Sequence, residues 1–280
     1  MWAIQPVFAR FSYSDSGIVE TLTVMAMVAA AVTLPYALLT GGSGLKITRR
    51  QLPKVVYVAL AGTVVADMAY FWAFTKIPVV NAVLIGHLQP VFVVLIGYFF
   101  LKEDRLTRFD YAGIVVLLAA GTLVSARTPE NLRAFRLGSA AVPVVLLSTF
   151  AWATCGIVTR KYLREMNAGV LTFYRFVIAA GGFALCLVLT TGTLRLNRHQ
   201  AAVGVVVGTG YVLYYEGLKR IKAAQVAALE LSTPFFAALL GYAFLGEGVS
   251  LMQWGGIALL FSGTYLLSRK EPEPAAAGFP

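Results

Sequence analysis

The sequence predicts an all-α polytopic membrane protein, with ten transmembrane helices that form two inverted five-helix repeats. Three observations lead to this fold class. Of the 280 residues, 59% are hydrophobic and only 13% are charged, a composition that would leave large apolar patches exposed on a soluble domain. The apolar residues fall into ten separate runs, and the runs of the second half repeat the pattern of the first half.

The ten apolar runs define the predicted helices. Most are long enough to cross a hydrocarbon core of about 30 Å, which needs about 20 residues of helix. The C-terminal residues 269–280 are rich in Pro and Ala and predict a disordered tail. The runs lie at 1–12, 17–39, 53–75, 78–101, 107–125, 139–163, 168–190, 199–218, 221–245 and 250–268.

Lys and Arg residues orient these helices. They are concentrated in every second connection, around 46–54, 102–108, 160–164, 219–222 and 269–270. Because cytoplasmic loops carry the excess of Lys and Arg, these connections and the C-terminus are predicted to be cytoplasmic. The net charge of +10 is spread among these loops rather than gathered on one face, which argues against a nucleic-acid partner.

An internal repeat divides the chain. Residues 87–103 align with residues 231–247, and matched positions such as Pro90 and Pro234 are 144 residues apart. Each copy contains an odd number of helices, so the second copy enters the membrane upside down, which is the architecture of many secondary transporters. We expect a first repeat at 1–125, an extracytoplasmic linker at 126–138, a second repeat at 139–268 and a cytoplasmic tail at 269–280.

The first apolar run is too short for a membrane span. Residues 1–12 make a helix of only about 18 Å. Trp2 aligns with Trp152, and the second copy has further apolar residues, AAVPVVLLSTFA, before its tryptophan. We therefore expect that the first helix is truncated and that the native reading frame begins roughly ten residues upstream. The alternative is a short re-entrant first helix.

The paired motifs resemble a known family. The 5 + 5 helices, the tryptophan in the first helix of each copy, the mid-helix prolines and the LKE and LGE sequences resemble EamA-type members of the drug/metabolite transporter superfamily. The resemblance implies a carrier of the bacterial inner membrane, often an exporter of amino acids or related metabolites, with a cavity lined mainly by helices other than 5 and 10. We therefore expect an alternating-access secondary transporter whose partners are a small-molecule solute and the lipid bilayer; a monomer is one option for its oligomeric state.

Two prolines mark predicted hinges. Pro90 removes the helical hydrogen bond to the Gly86 carbonyl, which places a free acceptor beside His87 near the middle of helix 4. Pro234 does the same for the carbonyl of Glu230 in helix 9. Broken helices in corresponding positions point to a transport site. The alternative is that each proline only kinks its helix to fit its neighbours.

Polar and aromatic residues at membrane depth supply further candidates for the solute site, because placing polar groups there is costly. Asp67 is a candidate for binding a solute ammonium or a proton, or else it lies in an outer vestibule. For each remaining candidate the alternative is a structural role, such as a place in an interface belt, core packing or a hydrogen bond between helices. They are the aromatic residues Trp152, Tyr70 and Tyr214 and the hydrogen-bonding residues Gln5, Gln89 and Thr233.

Arg175 and Glu230 form a predicted ion pair. Both lie eight positions into helices that enter from the cytoplasmic side, roughly 12 Å deep. Pairing is the usual remedy for such charges, and a zwitterionic solute would compete for both of them. The alternative is that Arg175 extends to the interface alone and that Glu230 is protonated against a neighbouring helix.

Other function classes find little support in the sequence. GGSGLKIT at 41–48 lacks the Gly-Lys-Ser/Thr of a phosphate-binding loop, so we expect no ATP-driven transport. The two histidines, His87 and His199, cannot form a His-rich metal site, and no cofactor or metal is expected. The chain is not expected to be an enzyme; a membrane-embedded enzyme or a non-transporting membrane subunit is the alternative class.

Overall fold

The computed structural model describes residues 1–41, 45–101, 107–134, 139–163, 165–190, 192–220 and 232–269. These residues form helices and connections, with no strand among them. A short helix, Pro129–Arg133, follows the fifth of the main helices. The main helices are α1 (Gln5–Ser12), α2 (Ile18–Thr40), α3 (Leu52–Ala73), α4 (Val79–Phe99), α5 (Arg108–Ala126), α6 (Ala141–Leu163), α7 (Ala168–Thr190), α8 (Arg198–Arg220), α9 (Ser232–Leu245) and α10 (Leu251–Ser268).

Six of these helices, α2 to α7, are long and apolar enough to cross a membrane. The described parts of α1 and α9 are shorter, with 8 and 14 residues. Many large apolar side chains point outward, among them Leu39 at 85% exposure and Val188 at 73%. A surface of this kind is stable against lipid chains and unfavourable in water.

Small residues set the closest helix contacts. The helix pairs that pack most extensively are α2 with α7, α5 with α10, and α2 with α8. A Cβ atom added at Gly208 of α8 would lie 3.0 Å from the backbone oxygen of Ala29 in α2, so a larger residue would push the two helices slightly apart. Helices in a lipid bilayer associate through such close contacts, because moving an apolar side chain from lipid to a helix interface gives little free energy.

The short helix α1 packs inside the bundle against α8. Just before it, the ring of Trp2 lies edge-on to the ring of Tyr211, with 4.8 Å between centroids. At its other end, the Arg10 side chain donates to the carbonyl of Phe74, and the Tyr13 hydroxyl donates to the carbonyl of Phe71 at 3.0 Å. Helix α1 therefore connects α8 to the end of α3.

Helix α4 is interrupted where the sequence predicts a hinge. Its first part ends at Gly86 and its second part begins at Gln89, with Pro90 in the first turn of that part. Proline lacks an N–H donor and is well suited to the first turn of a helix, so the chain restarts there. Pro234 likewise lies in the first turn of the described part of α9, which begins at Ser232.

The connection between α9 and α10 contacts the start of α4. Gly246 follows α9 with φ +66°, a left-handed conformation that glycine adopts easily. The next residue, Glu247, accepts hydrogen bonds from the backbone N–H groups of Val79 at 2.9 Å and Val80 at 3.1 Å. A carboxylate at this position satisfies two free donors and interacts favourably with the helix dipole.

Candidate functional site

A buried group of polar residues lies where α3, α6, α7 and α8 meet. We call it the central cluster. Thr63 is 0% exposed, Arg175 3%, Asp67 4% and Tyr215 5%. Charged groups inside a membrane protein are expensive and usually mark a functional site. The members of the central cluster are Gly62, Thr63, Asp67, Trp152, Arg175, Tyr211 and Tyr215.

Arg175 is the centre of this group. Its Nε donates to Thr63 Oγ1 at 2.7 Å, and its Nη1 donates to the Tyr215 hydroxyl at 3.0 Å. Its Nη2 donates to the Gly62 carbonyl at 3.2 Å and to the Tyr211 hydroxyl at 2.9 Å. The guanidinium also lies over the Tyr211 ring, 3.9 Å from its centroid, in a cation–π contact. All four hydrogen bonds therefore end on neutral oxygen atoms.

The backbone of α3 supplies one of these oxygens because the helix is locally widened. Residues Leu60–Val65 form a π-helical segment, and such segments are frequent at functional sites. The carbonyl of Gly62 accepts from Arg175 Nη2 and also from Trp152 Nε1, the latter at 3.0 Å. A Cβ atom at position 62 would lie 2.8 Å from the Cys155 sulfur, so the approach of α6 to α3 requires glycine.

Asp67 joins the central cluster through Trp152. The Trp152 indole N–H is shared between the Gly62 carbonyl and Asp67 Oδ1, the latter at 3.1 Å. A continuous chain of hydrogen bonds thus links the carboxylate on α3 to the guanidinium on α7. The two charges interact through this chain and through space, without a direct ion pair between them.

Aromatic rings cover both sides of the central cluster. Tyr70 packs edge-on against Trp152, with 4.7 Å between ring centroids. Tyr211 lies between the Arg175 guanidinium and the ring of Trp2. The ring of Tyr214, another predicted site residue, lies 5.6 Å from the ring of Tyr215, measured between centroids. Tyr70, Trp152 and Asp67 are therefore neighbours, and Tyr214 contacts the cluster member Tyr215.

The other predicted site residues lie at different points of the bundle. His87 directly follows the first part of α4, and its Nδ1 lies 2.7 Å from the carbonyl oxygen of Val83, one turn back. Gln89 faces Gly156 of α6, and its Nε2 would be 3.9 Å from a Cβ added there. Gln5 is the first residue of α1, and Thr233 is buried in the first turn of α9.

Glu230 lies outside the described residues, so its predicted ion pair with Arg175 stays a prediction. Within the described chain, the carboxylate that Arg175 faces is Asp67. The sequence-based argument used depth along each helix, which fixes height in the membrane but not the neighbour around the bundle.

Sequence reasoning missed four members of the central cluster, namely Gly62, Thr63, Tyr211 and Tyr215. Two of them carried a usable signal. Tyr211 is 144 positions after Asp67, which is also the offset between residues 87–103 and 231–247, and Tyr215 follows Tyr211 by one helical turn. The role of the Gly62 carbonyl depends on the π-helical segment, and no residue pattern in α3 predicts that segment.

A separate open cavity lies at one end of the bundle, near the end of α1. It has a volume of about 450 Å³, and its lining combines aromatic rings with the basic side chain of Arg10. The imidazole of His199 stacks there near Phe8 and Phe11. The lining residues are Arg10, Phe11, Tyr13, Ser14, Thr75 and His199. This cavity has no member in common with the central cluster.

Several known proteins similar to this chain are named as transporters or exporters. An "Uncharacterized transporter" of Methanothermobacter thermautotrophicus is 24% identical over 234 residues, which cover 81% of this chain and 67% of that protein. The "Protein PecM" of Dickeya dadantii is 25% identical over 69% of this chain and 65% of its own length. The "Pseudopaline exporter CntI" of Pseudomonas aeruginosa is 26% identical over 85% of this chain and 82% of its own length. The chain thus spans about two thirds of the length of some curated relatives.

One solved structure and one family model also match this chain. A solved crystal structure superposes with a TM-score of 0.68 over 95% of this chain and 91% of that one, at 20% sequence identity, which shows a shared fold. The sequence model of the EamA-like transporter family matches residues 1–126 and 139–269. Because that match covers nearly all of the sequence, the chain belongs to the EamA-like transporter family.

Proposed function

We propose that this protein is a secondary transporter that exports a small metabolite, an amino acid or a related solute, across the bacterial inner membrane by alternating access. The observation that carries the proposal is the central cluster, in which Arg175 and Asp67 are buried on different helices without a direct ion pair. Burying two such charges is a cost that an apolar core would avoid, so a ligand that uses them accounts for their presence.

The chemistry of the central cluster suits a zwitterion. Arg175 binds a carboxylate when the solute replaces hydroxyl acceptors such as Tyr211 and Tyr215, because a charge-assisted bond is stronger than a neutral one. Asp67 binds the solute's ammonium group. The edge-on pair of Tyr70 and Trp152 beside Asp67 supplies an apolar wall for the solute's side chain.

Alternating access requires two related halves, and the contacts of the central cluster support them. Trp152 of α6 contacts Asp67 of α3, and Trp2, before α1, contacts Tyr211 of α8. The two tryptophans lie at aligned positions of the proposed copies, and Asp67 and Tyr211 are 144 positions apart, which supports a relation between the two contacts. We propose ten spans in two inverted repeats, 1–125 and 139–268, joined by the extracytoplasmic linker 126–138, with the C-terminal tail 269–280 in the cytoplasm.

The interruption in α4 provides a place for movement. The segment between Gly86 and Gln89 is not helical, and Pro90 prevents a continuous hydrogen-bond ladder across it. In this proposal the two parts of α4 change their angle as the solute site opens to one side or the other, and Pro234 permits the same in α9. His87 lies in the interruption and stabilises its end.

Transport by reconstituted protein tests this function. Purified protein in lipid vesicles is supplied with a panel of radiolabelled amino acids, one at a time, and accumulation is compared with protein-free vesicles. We expect one or more solutes to be transported, and Arg175→Met to reduce the rate at least tenfold. Arg198→Met, at an exposed position in the first turn of α8, is the matched control and retains the rate.

Two outcomes contradict the proposal. One is turnover of a solute into a different product without accumulation, which indicates an enzyme. The other is equal transport by the unaltered protein and the Arg175→Met variant, which removes the central cluster from the transport path.

A further inference from the structure

Asp67 combines complete burial with incomplete pairing. Its side chain is 4% exposed, and Trp152 Nε1 donates to its Oδ1 at 3.1 Å. That N–H is shared with the Gly62 carbonyl, so the carboxylate receives only part of one donor. An ionised carboxylate usually accepts several hydrogen bonds when it is buried, because the loss of water is otherwise not offset.

Arg175 reaches Asp67 only indirectly. The guanidinium already donates to four neutral oxygen atoms, one of which is the Gly62 carbonyl that also accepts from Trp152. A direct ion pair would hold Asp67 permanently in its charged form. The observed arrangement provides an attractive positive charge nearby and leaves the carboxylate free to change its protonation state.

The groups that face Asp67 come from each helix packed around it. Helix α2 also contacts this part of α3, and its Glu20 accepts from the backbone N–H groups of Gly17 and Arg195 instead. The titratable or charged groups that interact with Asp67 are Tyr70 on its own helix, Cys155 on α6, Arg175 on α7 and Tyr211 on α8. Arg175 is the one formal charge in that set at neutral pH.

We propose that Asp67 is a proton-binding site, whose carboxylate takes up one proton and releases it again during transport. Proton uptake converts the Arg175 and Asp67 pair from neutral to a net charge of +1, so the occupancy of Asp67 changes the attraction of the central cluster for charged groups of the solute. A proton and a solute ammonium compete for the same oxygen atoms, which makes their binding mutually exclusive. The role in transport rests on the proposed function; the proton site itself stands on the geometry of Asp67.

Trp152 serves as a built-in reporter of this site, because its N–H contacts Asp67 directly. The chain has 4 tryptophans, and replacing Trp2, Trp72 and Trp254 with phenylalanine leaves Trp152 as the only one. The emission of this single-tryptophan protein is measured in detergent while the pH is varied over the range in which the protein stays folded. We expect one sigmoidal transition that corresponds to one proton.

Matched variants assign the transition. In the single-tryptophan background, Asp67→Asn keeps the shape of the side chain and abolishes the transition, whereas Asp67→Glu retains one. Cys155→Ser, Tyr70→Phe and Tyr211→Phe each remove one of the other titratable side chains named above and leave the transition in place. A pH-independent emission in the parent protein overturns the proposal, and so does a transition that survives in Asp67→Asn.

A second measurement covers the case in which the tryptophan-depleted protein does not fold. Infrared difference spectra of the unaltered full chain between high and low pH contain a protonated carboxyl band, and we expect Asp67→Asn to lose one such band. No difference between the two proteins overturns the proposal. If this site titrates while no solute is transported, only the proposed function fails; if transport is intact and Asp67 does not titrate, only the proton site fails.

Discussion

The Gly62→Ala substitution tests the packing that brings Arg175 and Trp152 to the α3 backbone. The added Cβ would lie 2.8 Å from the Cys155 sulfur and 3.3 Å from Arg175 Nη2. Overpacking of this kind costs about 1–3 kcal/mol. Displacing the guanidinium from the Gly62 carbonyl weakens a charged hydrogen bond, which adds about 1–2 kcal/mol. Together we expect a loss of about 2–5 kcal/mol in the free energy of unfolding.

Two further substitutions isolate the cause. Gly181→Ala, in α7, adds a Cβ where no atom lies within 4 Å, so the better helix propensity of alanine should stabilise the protein by up to about 1 kcal/mol. Cys155→Ala removes the clashing sulfur and leaves its Cβ 3.4 Å from the added atom. The Gly62→Ala/Cys155→Ala double variant should therefore regain about half of the lost stability, a coupling that a double-mutant cycle measures.

The assay is reversible unfolding of the purified protein in mixed detergent micelles, followed by circular dichroism for all four variants. Equal stability of the Gly62→Ala and Gly181→Ala proteins would refute the close approach of α6 to α3. The absence of coupling between positions 62 and 155 would place the strain elsewhere and refute the reasoning that the Cys155 sulfur causes it.

Three other substitutions have defined outcomes. Glu247→Ala removes both acceptors from the start of α4 and should lower the free energy of unfolding by about 1–2 kcal/mol in the same assay. Glu247→Gln keeps one acceptor and should lower the free energy of unfolding by less. Tyr211→Phe keeps the ring under Arg175 but removes an oxygen acceptor, so a loss of about 1.5–3 kcal/mol is expected, and no change would mean that the ring contact alone matters. Pro90→Ala restores a backbone donor in α4 and should slow transport in vesicles without lowering the yield of folded protein. Pro35→Ala in α2 is the control and should not slow transport, and equal rates for both variants would make Pro90 a packing feature.

The helices were predictable because the hydropathy of each segment can be read directly from the order of its residues. Apolar runs mark the segments that must satisfy their backbone hydrogen bonds internally, and the observed helices α2 to α7 follow the predicted runs closely. The sequence also predicted a hinge at Pro90, because proline lacks a backbone donor, and α4 is interrupted just before it; Pro35, by contrast, lies inside the continuous helix α2. The length of the described part of α9 differs from its predicted run, which extends over residues that the structure does not describe.

The candidate site was predictable only in part. Asp67, Trp152, Tyr70 and Arg175 were selected because polar and amphipathic side chains at membrane depth are conspicuous, and the structure brings all four to one region. The partners of Arg175 were not predictable, because they are a backbone carbonyl in a π-helical segment and hydroxyl groups of neighbouring helices. Packing across the bundle decides which helices face each other, and a single sequence does not contain that information.

Ligand-induced stabilisation tests the claim that the central cluster is the solute site. The unfolding temperature of the purified protein is measured with each amino acid of the panel, at concentrations up to saturation. A ligand present at 100 times its dissociation constant stabilises the folded form by about 2.7 kcal/mol. We predict that at least one amino acid raises the unfolding temperature of the unaltered protein and of Arg198→Met but not that of Arg175→Met. An equal rise in all three proteins would contradict the account, because the solute would then bind without Arg175.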